Sequence, residues 1–456
     1  LASVTKPIAA TLVMMLVEEG AIDLDAPLSS YGVAVPDGAD VTVRHLLTHT
    51  SEGRPGTVHR YDGNRYGYLG GVIEGATGGT FANLLSQRVL MPLEMMDTAL
   101  NPLSRWGDNL TWHGFEDFTR TLGVGGSFGH YPDVYSRLSQ PYQLDGEYEP
   151  IPGMYHLYHN PAAGLVSSAN DLAKFDIALD TGVLLGSDAL TEMLSPAVPT
   201  VRGRSDLAYG LGWYVQDFDG NRFLWHAGRW PPSTSALYVK VPADRLTFIV
   251  LANTDNLSVP FPGLGDGDVS RSTPALTFFR HFLFPREHGY ELPQIDWSAG
   301  SSELQSQLAA VDDPASLEFL ERELWSFRQA FASSGQHEQA ETLMEVGTSA
   351  FPNSSRRFDP SFTQTAGNSA FVAPVTSARS LVVVSRLVVA WLAVVVASLV
   401  WMIAMLIRSP TTLLWDWAVW LAAAALLGPF APAIYQFTRN ASRPGSRDAG
   451  RQTACA

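Results

Sequence analysis

Residues 3–20 read SVTKPIAATLVMMLVEEG, and the run from Ile8 to Val17 carries no charge. A helix over this stretch has no polar face to offer water, so it belongs in the middle of a layered fold rather than on its surface. Pro7 is tolerated only in a first turn, which puts the helix start at Ser3 or Val4, and Gly20 ends it.

The segments after it change character along the chain. Residues 41–49 (VTVRHLLTH) suggest a short helix, and 66–91 hold helical patterns broken by Gly78 and Gly79. Residues 101–160, rich in Gly, Pro, Tyr and His, lack periodicity and read as a long excursion over one face, a substrate wall or lid. Ser168 followed by Asp171 resembles a capping box, with Leu172, Phe175 and Leu179 at helical spacing. From residue 208 the period changes. Tyr209–Gln216, Arg222–Ala227, Thr234–Val239 and Leu246–Ala252 are short β-branched or aromatic runs, separated by turns such as Asp219-Gly220 and Pro242-Ala243-Asp244. They predict an antiparallel meander, and helices followed by sequential strands predict an α+β fold.

Residues 301–350 return to helical spacing, and GQHEQAETLMEVGTSAFPNSS looks like the second half of a tetratricopeptide unit. A helical linker packed on the main domain is the equal alternative. Leu387–Ile407 is 21 residues without a charge, flanked by Arg386 and Arg408. At helical rise it spans ~32 Å, enough for a bilayer core. Residues 413–435 form a second candidate span, with aromatic residues at interface-like positions. The expected organisation is a main domain over 1–298, a helical segment over 299–358, a linker over 359–380, a transmembrane pair within 381–438 and a basic tail over 439–456.

Composition narrows the chemistry. With 456 residues, 46% hydrophobic and 16% charged, the chain can build a sizeable core, which excludes bulk disorder. The single cysteine, Cys455, excludes a disulfide framework and a cysteine-built zinc site. A net charge of −15 argues against a nucleic-acid partner. Only three lysines occur, Lys6, Lys174 and Lys240, so the position of each carries information.

One of them stands in Ser3-Val4-Thr5-Lys6. On a helix, residues three apart share a face. A neutral or hydrogen-bonded lysine there can take the proton of a serine that is otherwise a weak nucleophile. The helix N-terminus favours the negative charge that develops.

Ordered blocks then carry a resemblance. ASVTKPIAATLVMMLVEEGAIDLDAPL, VTVRHLLTHTSEG, YDGNRYGYLGGVIEGATG, RVLMPLEMMDTAL, NPAAGLVSSANDLAKF, YGLGWYV, and WHAG followed by VPADRLTFIVLANTD cover residues 1 to about 255. In that order they resemble the serine β-lactamase-like hydrolases, the group joining class C β-lactamases, D-Ala-D-Ala peptidases, D-aminopeptidases and esterases. The resemblance implies the β-lactamase/transpeptidase-like fold, an antiparallel sheet flanked by helices. It implies Ser3 as acylated nucleophile, Lys6 as its deprotonating partner and Tyr61 as the group that shuttles protons. It also implies that His226-Ala227-Gly228 lines the strand edge and that the N–H groups of Ser3 and Arg229 form the oxyanion hole. No cofactor is implied, and the substrate is a small ester, amide or D-amino-acid peptide.

Three departures matter. The family's Tyr-x-Asn motif reads Tyr61-Asp62-Gly63-Asn64, so either Gly63 replaces the amide or Asn64 has slipped by one into the substrate-binding place. After WHAG come Arg229, Trp230, Pro231 and Pro232, and two prolines are expected to reshape the site edge. Ser3 is the third residue where family members carry strands and a helix first. The reading is therefore of an N-terminally incomplete fragment with an unpaired sheet edge. His226 in place of lysine makes esterase or peptidase activity a better expectation than a true β-lactamase.

Competing expectations follow from the same residues. A decayed site would make the chain a partner-binding or penicillin-binding-like membrane protein, with the helical segment as a surface for a protein partner. His45 and His49 at i, i+4 could share a helix face, but no third ligand is evident and no metal site is expected. Gly123-Val124-Gly125-Gly126 lacks the strand and lysine of a phosphate cradle. The resemblance implies an extracytoplasmic domain on the cell membrane. A two-span hairpin would then put the arginine-rich tail outside, against the positive-inside tendency, unless the second segment does not cross.

Overall fold

The computed structural model describes residues 1–35, 40–101, 103–106, 109–112, 129–145, 147–155, 158–231, 233–257, 264 and 267–354. The expected linker, both expected membrane spans, the basic tail and the Gly123 loop lie outside them. Among the described residues no helix is long and apolar enough to cross a membrane.

The apolar helix forms where the sequence puts it. A 3-10 turn over Ala2–Val4 leads into α1, Thr5–Glu18, with Pro7 in its first turn. Every residue from Val4 to Met14 is buried, because the helix has an aliphatic or small side chain on all sides and packs against structure all round. Two short helices frame its start: α2, Val43–Leu47, and α3, Gly63–Gly67. Farther on, α4 (Ala169–Asp180) is capped by the Ser168 side chain, which accepts from the Asp171 N–H. The reciprocal half of the expected capping box is diverted. The Asp171 carboxylate accepts instead from the Asp97 N–H and the Thr98 hydroxyl, tying a loop to the helix.

The meander forms one six-stranded antiparallel sheet: β1 (Val198–Pro199), β2 (Leu207–Tyr209), β3 (Tyr214–Phe218), β4 (Asn221–Trp230), β5 (Thr234–Val241) and β6 (Leu246–Ala252), neighbours in chain order. Alternation divides its side chains between two cores. Leu224, Ala236 and Tyr238 face the core built on α1. Phe223, Trp225, Leu237 and Val239 face a second core with α5, Thr273–Phe282.

One expected strand, Tyr209–Gln216, is broken in two. Gly212 sits at φ +85, and a Cβ there would stand 2.6 Å from the Ala10 side chain and 2.8 Å from the Tyr66 hydroxyl. The turn between β2 and β3 thus presses on α1, a contact that period-two patterning cannot reveal.

The segment after residue 300 folds as α6 (Ser301–Ala309), α7 (Pro314–Ser333) and α8 (His337–Ala350) around Leu320, Leu324, Trp325, Leu343 and Val346. It packs on the sheet-bearing part. Arg280 of α5 donates to both Glu323 carboxylate oxygens of α7, Nε at 2.8 Å and Nη2 at 2.6 Å, and both residues are buried.

Candidate active site

Ser3 lies at the entry to α1, after Ala2 at φ +47. One turn on, Lys6 Nζ is 3.0 Å from Ser3 Oγ and donates to the Ala162 carbonyl at 3.0 Å. Lys6 is 1% exposed, and burial lowers its pKa to about 7 against an opposing pull from Asp62. When the amine is neutral, the 3.0 Å contact runs from the Ser3 O–H to Nζ, the geometry of a base at its nucleophile. Tyr66 of α3 donates its hydroxyl to the Lys6 carbonyl, fixing the first turn of α1.

Tyr61 joins the pair from the segment before α3. Its hydroxyl lies beside Ser3, and its ring centroid is 4.6 Å from Lys6 Nζ. The residue is 39% exposed, yet burial of its titrating group raises the phenol pKa above its ordinary value, with Ser3 opposing. At neutral pH the group is therefore a proton-bearing phenol.

The altered motif resolves in favour of replacement. A Cβ built on Gly63 would stand 4.0 Å from Lys6 Nζ and 3.9 Å from the Ala162 Cβ, so Gly63 occupies the place beside the lysine. Asn64 does not. It is exposed at the start of α3, its N–H held by the Asp62 carboxylate at 2.7 Å.

The opposite wall is β4. Its turn to β3 consists of Asp219 and Gly220, both at positive φ, so the flanking pair Phe218–Asn221 is hydrogen-bonded and odd-numbered residues of β4 turn their main-chain groups towards β3. β3 starts at Tyr214, opposite Trp225. The main-chain groups of Ala227 and Arg229 therefore have no strand partner on that edge. Gly228 brings the edge close: a Cβ there would stand 2.0 Å from the Leu1 carbonyl and 3.2 Å from Ser3 N. Any side chain would push β4 away from the nucleophile. Ser3 and Arg229 thus have the N–H groups suited to an oxyanion, while the Arg229 guanidinium turns to Asp255 at 3.0 Å. Pro231 lies in the turn after β4, past this edge rather than in it, and Pro232 is outside the described residues.

His226 is buried, and both ring nitrogens are engaged. Nδ1 is 2.7 Å from the Ala227 carbonyl and Nε2 is 3.0 Å from the Tyr209 hydroxyl. A carbonyl only accepts, so Nδ1 carries the proton and Nε2 accepts from Tyr209. Burial, followed by the charge of Lys6, holds the imidazole pKa well below the ordinary histidine value. The ring is neutral and brings no charge to the site.

Sequence reasoning gave no role to Ala162 or Tyr209 and weighed His49 as a metal ligand beside His45. A main-chain acceptor such as Ala162 leaves no side-chain signature. His45 and His49 do not converge on a metal: His45 Nδ1 accepts from the Thr42 N–H, and His49 Nδ1 from the Asp62 N–H. Among the described residues no cluster of three or more His, Cys, Asp or Glu could hold a metal ion. A cleft of about 860 Å³ lined by Leu1, Ala2, Tyr155, Trp230 and Leu251 lies alongside without including Ser3, Lys6 or Tyr61.

Residues 1–266 match the family model described as Beta-lactamase. The chain belongs to the beta-lactamase family. Within it, the chain is similar to Penicillin-binding protein 4* of Bacillus subtilis (strain 168), 25% identical over 331 residues. That match takes in 64% of this chain and 66% of the relative, so the chain spans just under two thirds of the relative's length. Esterase EstB of Burkholderia gladioli is 51% identical over 57 residues, 11% of this chain and 14% of that protein. Among solved structures, an octameric penicillin-binding protein homologue from Pyrococcus abyssi matches at TM-score 0.45 and 21% identity, covering 56% of this chain and 61% of that one. A D-stereospecific amidohydrolase from Streptomyces sp. matches at TM-score 0.44 and 22% identity, covering 56% and 81%. This beta-lactamase family member thus has relatives named for penicillin binding and as an esterase.

Proposed function

We propose that the protein is a serine hydrolase that forms a covalent acyl-enzyme on Ser3 and takes an ester, or secondarily an amide, as substrate. The observation that carries this reading is the 3.0 Å contact between Ser3 Oγ and a buried Lys6 whose pKa is about 7, with the Tyr61 ring 4.6 Å from the same amine. Neutral Lys6 takes the Ser3 proton as Oγ attacks the acyl carbon. The N–H groups of Ser3 and Arg229 hold the oxyanion. Tyr61 gives its proton to the leaving group, and the Lys6 ammonium restores it. Water then attacks the acyl-enzyme by the reverse relay, and Ser3 regains its proton.

Neutral His226 favours the ester arm. It offers no cation to a carboxylate next to the scissile bond, so penicillins and D-amino-acid peptides lose an anchor. A second reading, a slow penicillin-binding-like or partner-binding protein, draws on Gly63, which leaves Lys6 without a side-chain amide beside it. The uncharged run 387–407 supports anchoring to the cell membrane, and the family resemblance supports a catalytic part outside the cytoplasm.

Intact-mass measurement with an active ester, a fluorophosphonate and a penicillin, beside Ser3→Ala, tests this. The expected result is a short-lived acyl adduct on Ser3 from the ester and a stable one from the fluorophosphonate. A folded protein that forms no adduct at Ser3 with any probe would overturn the hydrolase reading. A long-lived penicillin adduct without turnover would favour the second one.

A further inference from the structure

His49 touches the segment of Tyr61 at three points. Its carbonyl accepts the Arg60 N–H at 2.7 Å, and its Nδ1 accepts the Asp62 N–H at 3.1 Å. These are the two residues that flank Tyr61. Between them the Tyr61 ring lies on the imidazole, centroids 4.3 Å apart and tilted by 32°. His49 holds φ at +54, a left-handed conformation that residues other than glycine seldom adopt. The side chain is 2% exposed and also packs against Tyr66 and Tyr209, at 5.1 Å each.

We infer that His49 is a positioning residue for Tyr61: it brackets the tyrosine by both neighbouring amides and seats its ring, so that the hydroxyl is held beside Ser3. The strained backbone is what lets one residue present its carbonyl and its ring nitrogen to the same short segment. Asp62 N–H needs an unprotonated Nδ1, and the surroundings provide for it. Burial foremost, then the charge of protonated Lys6, keep the imidazole neutral. The inference rests on the reading of Tyr61 as the proton carrier.

The test is a double-mutant cycle in the full chain, with Ser3-dependent ester hydrolysis as readout. His49→Ala removes ring and acceptor. It should lower kcat by about 10- to 100-fold, the effect of misplacing a reacting group by an ångström, with little change in KM. His49→Asn keeps an acceptor close to the Nδ1 position and tolerates the left-handed backbone, so it should recover most of the loss. In a Tyr61→Phe background, His49→Ala should cost almost nothing further, because no hydroxyl is left to aim. An equal loss in both backgrounds would overturn the inference and leave the hydrolase reading standing. A parent chain with no Ser3-dependent turnover would overturn both. Hydrogen exchange at the Arg60 and Asp62 amides gives a readout independent of activity. Both should lose protection in His49→Ala, and unchanged protection would also overturn the bracket.

Discussion

Gly63 faces Lys6 across an open gap: a Cβ on the glycine would stand 4.0 Å from the amine and meet only ordinary contact with Ala162. The amine is held instead by Ser3 Oγ and by the Ala162 carbonyl, each at 3.0 Å. The gap admits at least the Cβ of the side chain that the altered motif lacks. Gly63→Asn should therefore fold normally and place an amide beside Lys6. One added hydrogen bond of about 1 kcal/mol corresponds to several-fold in kcat/KM. Steady-state kinetics on an acyl substrate carrying an amide should show that gain, and a loss of activity would mean that the gap is occupied in catalysis.

Lys6 gives the reaction its pH dependence. With a pKa of about 7, the base form appears as pH rises through neutrality, so acylation should climb to a plateau above about pH 8. The Tyr61 phenol is raised above its ordinary range and sets no falling limb near neutral pH. A pH profile of kcat/KM flat from pH 5 to 9 would contradict a lysine base.

The same lysine costs stability. Its folded pKa lies below the ordinary lysine value, so between about pH 7 and 10.5 the unfolded chain binds the extra proton. Stability then rises with pH across that window, and the penalty is complete below pH 7. Lys6→Met should abolish turnover yet stabilise the fold at pH 7 by about 1–3 kcal/mol, because the bonds to Ser3 and Ala162 offset part of the burial cost. Thermal melts of the two proteins check the sign. A lower midpoint for Lys6→Met would show that those bonds outweigh the desolvation.

Tyr209 donates to His226 Nε2 from inside the core. Tyr209→Phe leaves that nitrogen buried without a donor and should cost about 1–3 kcal/mol of stability. If the pair fixes the imidazole, the substitution should also free the ring to flip, which ring 15N shifts would report as a change of tautomer. An unaltered tautomer would assign the ring orientation to the Ala227 carbonyl alone.

Arg280 and Glu323 join the sheet-bearing part to the helical segment through a buried two-pronged pair, and Arg280 also donates to the Pro293 carbonyl at 2.9 Å. Glu323→Ala strands the guanidinium and should cost about 3–5 kcal/mol. The paired change Arg280→Met with Glu323→Leu should recover much of it. Chemical denaturation measures both. The pair is remote from Ser3, so ester turnover at low temperature should remain.

The chain by itself determined what depends on neighbours in sequence. The buried α1 follows from an uncharged run, the Ser3–Lys6 contact from a spacing of three on a helix, and the meander from short β-branched runs with Asp219-Gly220 between them. The ordered motifs sufficed to point to the family. Tertiary structure decided whatever depends on which distant groups meet. Ala162, 156 positions from Lys6, supplies a carbonyl that no side-chain pattern announces. Gly63 rather than Asn64 stands beside the lysine because Asp62 caps α3 and fixes where its helical turn begins. His226 is neutral because Tyr209 and burial make it so, although its residue type alone allows either charge. His49 brackets Tyr61 through a left-handed backbone that only the folded loop imposes. Spacing carries local geometry, but burial and long-range hydrogen bonds set protonation and aim, and they exist only once the chain has closed on itself.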